Sequence, residues 1–323
     1  MKALVTGGGG FLGYALISQL MEENWEITSI GRSRQEKNLA RGINCVEGDI
    51  CDPDLMVQLT QGVDSVFHVA ALAGIWGKKE DYEKINIEGT LNIIRACQQS
   101  SVPRLIFTSS PSVCFKGTDQ IMSNENESYP DSWLWHYPRT KAEAEKAILK
   151  ANSETLKCTA LRPHLIWGPG DPNLLPRVIA KASQGKLRIV GDGQNQVDMV
   201  YVDNAASAHV LAEKALREGK GAGEAYYITN DEPVFLWTWI NELLERKGIP
   251  PIRKSISASA AFRVGQALEW IYGTFGLKGE PPMTRFVARQ LSTHHTYDIS
   301  KAKKDLGYSA KICMKEGLDI YLS

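Results

Sequence analysis

The chain lacks a surplus of either charge: 37 Lys plus Arg balance 37 Asp plus Glu over 323 residues. No net field therefore draws it to nucleic acid or to an anionic surface, and nucleic acid is excluded as a first partner. It lacks a Cys-x-x-Cys pair, its six cysteines (Cys45, Cys51, Cys97, Cys114, Cys158 and Cys313) lying scattered. That argues against a disulfide framework or zinc knuckle and for a reduced, cytoplasmic protein. It lacks any apolar run approaching the roughly 18 to 20 residues of a membrane span, and a strand pattern rather than a charged-then-apolar leader opens the sequence. His294-His295 have no companions at metal-ligand spacing, so no metal is expected. With 43% hydrophobic residues, what remains is an enzyme-sized globular chain long enough for about two domains.

What is present is alternation. Ala3–Thr6, Glu26–Ile30, Asn44–Glu47, Ser65–Val69, Arg104–Thr108 and Thr159–Leu161 read as strands. Between them Phe11–Glu23, Pro53–Gln61, Tyr82–Gln99 and Tyr137–Ala151 carry helical spacing, which predicts an α/β fold with a Rossmann-type doubly wound parallel sheet. After residue 170 the rhythm loosens into a smaller, mostly helical substrate region, with helices over Ser257–Phe275 and Thr284–Leu291. The expected division is a dinucleotide domain over 1–170, with a returning part near 195–230 that includes a strand at Ala225–Thr229, and a substrate region over 171–323.

Gly7, Gly10 and Gly13 follow the first strand and open a helix. That placement suits a pyrophosphate: a tight turn, close backbone approach, and helix N-terminal amides facing the anion. Phe11, Leu12, Ile50 and Ala70 are expected beside the cofactor with them. The second strand ends in Ile30-Gly31-Arg32-Ser33-Arg34, with no carboxylate for a ribose 2′-hydroxyl. Arg32, helped by Ser33 or Arg34, points to NADP(H) rather than NAD(H) through charge-assisted bonds to a 2′-phosphate. Asp49 after the third strand either accepts from the adenine amino group or caps the helix near Pro53.

Tyr137 and Lys141 lie four apart at the start of a helical run and so share a face. An ammonium beside a phenol favours phenolate, as a general acid/base at neutral pH requires. Ser110, 27 residues upstream at the end of the fifth strand, is the expected hydroxyl for a carbonyl oxygen, with Ser112 nearby. A second Tyr-x-x-x-Lys, Tyr297 to Lys301, has no serine-ended strand at suitable distance upstream and reads as structural.

Together these residues resemble the extended short-chain dehydrogenase/reductases, and more narrowly their 3β-hydroxysteroid dehydrogenase-like branch. The likeness rests on residues 5–13, Asn86-x-x-Gly89-Thr90-x-Asn92, 137–141, 161–171 and 201–205. It implies that Ser110, Tyr137 and Lys141 are catalytic and that Pro163 to Leu165, including His164, line the nicotinamide pocket. Residues 73–77, 108–113, 173–177 and 282–286 resemble reductases of 2-alkyl-3-oxoalkanoates, which implies NADPH-dependent reduction of a β-keto acid with two alkyl arms. A sterol dehydrogenase, a nucleotide-sugar epimerase or dehydratase, and a regulatory NADP-binding protein are the alternatives.

Trp76, Trp133, Trp135 and Trp167 fall in predicted loops near the sheet's ligand end, where several would ring an apolar cleft for a hydrophobic small molecule. Arg177 is a candidate for a substrate carboxylate, and a surface salt bridge is its alternative. The segment 257–275 is a lid, a peripheral membrane contact or a packed helix. A homodimer or a complex with pathway enzymes is the expected assembly.

Overall fold

A computed structural model of the chain describes residues 1–133 and 135–323. Seven parallel strands form the central sheet: β1 (Lys2–Thr6), β2 (Glu26–Gly31), β3 (Asn44–Glu47), β4 (Ser65–His68), β5 (Arg104–Thr108), β6 (Lys157–Pro163) and β7 (Glu224–Ile228). Their spatial order is β7-β6-β5-β4-β1-β2-β3, so the topology reverses direction beside β1. Alternation along each strand splits the core in two. Ala3, Val5, Phe67, Ile106 and Leu161 face one layer, and Leu4, Val66, Leu105, Phe107 and Ala160 face the other. Helices cover both faces, as the sequence predicts for a doubly wound sheet.

The first layer holds α1 (Phe11–Glu22); the second holds α2 (Pro53–Thr60), α3 (Gly89–Gln99) and α4 (His136–Ala151). The stretch expected as one helix over Tyr82–Gln99 is interrupted: a short helix (Lys79–Tyr82) widens into a π-helical turn over Glu83–Glu88 before α3 begins. The turn places the Asn86 amide against the Leu72 backbone, accepting from its N–H at 2.7 Å and donating to its carbonyl at 3.1 Å.

The second half holds more helix than the sequence pattern reveals. Beyond the two expected segments it contains α5 (Leu174–Ser183), α6 (Val202–Arg217) and α7 (Leu236–Arg246). α6 packs beside α1 and buries most of its surface, from Val202 and Asn204 through His209 to Leu216, leaving a narrow stripe at Asp203, Ser207, Leu211 and Lys214 less covered. Asn204, His209 and Glu213 lie on its buried face, and these polar residues blur the apolar period in the sequence. The two anticipated helices are α8 (Ala258–Phe275, with Ser257 as its cap) and α9 (Arg285–Gln290, capped by Thr284). α8 buries only Ala261 and Gly265 and leaves Trp270 and Phe275 64% and 68% exposed. Among the described residues no helix is long and apolar enough to cross a membrane.

Candidate active site

A cleft of about 880 Å³ opens at the carboxyl ends of β1, β2, β4 and β5, the crevice where an open α/β sheet takes its ligand. Its floor is the glycine loop. Gly7 has φ of +71°, and a Cβ there would stand 2.9 Å from the Ala70 backbone. A Cβ on Gly13 would meet the Gly7 carbonyl oxygen at 2.3 Å, so α1 reaches the loop after β1 this closely only with glycine. Gly10 caps α1 without a side-chain acceptor and no acid occupies the first turn, which leaves the helix N–H groups to an anion. Phe11, Leu12, Asp49, Ile50 and Ala70 line the same cleft.

The adenosine end is bounded by Arg32 and Ser33. Arg34 instead pairs with Glu36 at 2.8 Å on the exposed surface. Asp52, not Asp49, caps α2 by accepting from the Leu55 N–H; Asp49 accepts from the Cys51 N–H at 3.0 Å and keeps its place in the cleft wall. The capping alternative for Asp49 is thereby removed. The cleft walls also contain Thr108, Ser109 and Gln35, which sequence reasoning passed over.

At the other end stand the hydroxyl groups. Ser110 opens the turn Pro111–Cys114, where its oxygen accepts from the Ser112 N–H at 3.3 Å and shares a hydrogen bond with the Ser112 hydroxyl at 2.9 Å. Tyr137 lies in the first turn of α4, and Thr140 ties that turn to the Asn86 amide at 3.1 Å. Burial raises the Tyr137 phenol above its usual range, and the neighbouring Ser110 hydroxyl opposes the rise. Lys141, 2% exposed, donates to the Thr108 carbonyl at 2.5 Å and lies 4.0 Å from the centre of the Phe107 ring. Burial pushes it down to about 7, with Glu145 one turn on opposing the shift. The expected depression of the phenol by the ammonium is replaced here by an ammonium committed to a backbone carbonyl.

Several substrate-side expectations are corrected. Trp167 is fully buried, edge-on to Tyr201 and Trp239 in the core, and walls no cleft. Trp133 packs against Val113, Cys114 and Ala142. Trp76 meets Tyr272 of α8, and Trp135 meets Phe286 of α9 at 4.9 Å, so each is packed against an outer helix. His164 is buried, sharing a hydrogen bond with the Asp198 carbonyl at 2.6 Å and stacking on His295, away from the cleft. Pro163 is buried at the end of β6, Leu165, with φ of +43°, packs on the core, and Ile166 beside them lines the cleft. Arg177 forms an ion pair with Glu280, the surface alternative to a substrate contact. Ser112 is buried beneath Ser110. Asp171 accepts from the N–H groups of Asn173, Leu174 and Leu175 and thereby starts α5 at the cleft's edge. Among the described residues no group of three or more His, Cys, Asp or Glu is placed to hold a metal.

The sequence profile of the 3-beta hydroxysteroid dehydrogenase/isomerase family matches residues 4–257. The 2-alkyl-3-oxoalkanoate reductase of Stenotrophomonas maltophilia is 44% identical over 321 residues, 98% of this chain and 97% of its own length. That of Shewanella oneidensis is 44% identical over 325 residues, 98% of this chain and 84% of its own. The mouse sterol-4-alpha-carboxylate 3-dehydrogenase, decarboxylating, is 32% identical over 324 residues, 98% of this chain and 89% of its own. Among solved structures, UDP-glucose 4-epimerase from Thermotoga maritima superposes with a TM-score of 0.76 at 24% identity, covering 100% of this chain and 97% of that one. At that identity the likeness speaks to the fold.

Proposed function

The chain belongs to the 3-beta hydroxysteroid dehydrogenase/isomerase family and is an NAD(P)-dependent oxidoreductase of hydroxyl and carbonyl groups; from that premise we propose that it reduces the 3-keto group of a 2-alkyl-3-oxo acid with NADPH. The observation that carries the chemistry is that Tyr137 and Lys141 line one cleft with the glycine loop, with Ser110 at the end of β5 close enough to act on the phenol. The substrate class rests on 44% identity along almost the whole of both chains to a reductase named for it.

The glycine loop, Arg32, Asp49 and Ala70 fit a dinucleotide, and Lys141 would sit at its nicotinamide half. When bound, NADPH supplies the hydride to the carbonyl carbon. Tyr137 supplies the proton to the carbonyl oxygen; with its pKa raised by burial it is protonated at neutral pH, as an acid for reduction should be. Ser110 holds the same oxygen by a second hydrogen bond. The buried Lys141 ammonium favours negative charge developing at that end of the cleft. Arg32 lines the cleft and forms no ion pair with an acid among the described residues, which leaves its guanidinium for a 2′-phosphate.

The test is a turnover comparison of 2-alkyl-3-hydroxy acids, 3β-hydroxysterols and UDP-sugars with NADP and NAD. It runs in the oxidation direction because β-keto acids lose carbon dioxide in water. The branched hydroxy acid with NADP should be fastest; faster turnover of a UDP-sugar or a sterol would overturn the substrate reading.

A further inference from the structure

We infer that Gln35 is a specificity-determining residue, its Nε2 the donor that acts with Arg32 to select a cofactor bearing a 2′-phosphate. This rests on the NADP(H) reading above and identifies a further group in the same site. Gln35 is 7% exposed and borders the cleft between the glycine loop and the end of β2.

The orientation of its amide follows from its neighbours. Asn38 Nδ2 donates to the Gly8 carbonyl at 2.9 Å, so that atom is a nitrogen. The same nitrogen donates to Gln35 Oε1 at 3.0 Å, and the Ser29 hydroxyl donates there at 2.7 Å, so that atom is the oxygen. Nε2 is left on the opposite side, buried and without a protein partner. A buried donor is costly to leave unsatisfied.

Its position gives the missing partner a chemistry. A Cβ on Gly31 would come within 3.2 Å of Nε2, so the Gln35 amide fills the space that a side chain at the end of β2 would take. From that end of β2 a carboxylate accepts from the 2′-hydroxyl in NAD-binding folds. Here a donor stands in its place, and a donor complements phosphate oxygens. Arg32 and Ser33, both exposed, line the same end of the cleft and are free to move as a ligand oxygen approaches.

Gln35 also packs under the loop, since a Cβ on Gly9 would sit 2.9 Å from its Cγ. The test must therefore separate loss of the donor from other changes. Gln35→Glu keeps the chain length and the oxygen that Ser29 and Asn38 use but adds a charge that repels phosphate by itself, so the uncharged Gln35→Met is read beside it. Calorimetric titration of the full chain with 2′,5′-ADP and with 5′-AMP reads the 2′-phosphate directly, without turnover. Wild type should prefer 2′,5′-ADP, and Gln35→Glu should weaken that ligand by about 10- to 100-fold while weakening 5′-AMP by less than about threefold. A folded Gln35→Glu that keeps the full preference would overturn the inference and leave the NADP(H) reading standing. A wild type without preference would overturn both. Gln35→Met, of similar length and with neither a donor nor an added charge, should lose the preference too; a folded Gln35→Met that keeps it would overturn the inference whatever Gln35→Glu does.

Discussion

The chain carries the pattern Tyr-x-x-x-Lys twice, and the two copies have become different objects. At 137–141 both residues lie on one helix, so four positions bring them to one face at the edge of the cleft. At 297–301 the tyrosine ends a strand (His295–Tyr297) and the lysine belongs to the following helix (Ser300–Leu306). Tyr297 stacks on Tyr227 at 4.5 Å and donates to Gln120 at 3.1 Å, deep in the core. Lys301 turns outward to Glu224 at 2.6 Å. The same letters give a site in one place and a strut in the other, because only a helix converts that spacing into proximity.

The comparison breaks most sharply at Tyr137. Tyr137→Phe removes the proton donor and leaves the ring, so kcat/KM should fall by about 10² to 10⁴ while folding and cofactor binding persist. Steady-state kinetics beside a cofactor titration measure both; retained turnover would move the active site elsewhere.

The contrast was legible before the fold was known because the glycine loop, the serine-ended strand and the helical run around Tyr137 agree with one another. The neighbourhood of Lys141 was not legible. That the ammonium meets the Thr108 carbonyl depends on how closely α4 approaches β5, a tertiary distance that no local spacing encodes. Trp167 and Trp76 likewise both read as loop tryptophans, yet one is sealed between Tyr201 and Trp239 and the other faces Tyr272. Asp49 and Asp52 are equally good caps by residue type, and only the backbone decides that Asp52 accepts from Leu55.

Lys141 sharpens the comparison through pH. Burial holds it down to about 7, so in the free protein it is charged below that pH and neutral above it. If the ammonium supports catalysis, kcat/KM for reduction should decline as pH rises through about 7. Lys141→Met should lower kcat/KM below about pH 7, approach the wild type above it, and so lose that limb. A limb unchanged in the variant would assign it to another group.

The second copy should respond in stability rather than in rate. Tyr297→Phe removes a buried hydroxyl from the Gln120 side-chain amide oxygen, leaving an acceptor without its donor, at a cost of about 1–3 kcal/mol. Chemical denaturation should show that loss while turnover under native conditions stays near wild type. A rate loss comparable to that of Tyr137→Phe would contradict the structural role of this copy.

The smallest effect belongs to Lys301. Its ammonium is bound to Glu224 and to the Ala225 carbonyl, with both side chains of the ion pair partly in water. An ion pair of that exposure contributes only about 0–1 kcal/mol, because solvent screens the attraction and a long side chain must be ordered to make it. Lys301→Met keeps the aliphatic stem that lies against the Tyr226 ring, 4.9 Å from the ammonium nitrogen to the ring centre, and discards only the charge. Stability should therefore change by less than about 1 kcal/mol, and the difference from wild type should shrink as salt is added. The pH dependence of kcat/KM should be that of the wild type, since Lys301 lies against β7 at the sheet edge and away from the cleft that Lys141 lines. Replacing the two lysines in turn, and recording kcat/KM against pH and melting against salt for each, separates them by kind of response: Lys141 should move the first curve and Lys301 only the second.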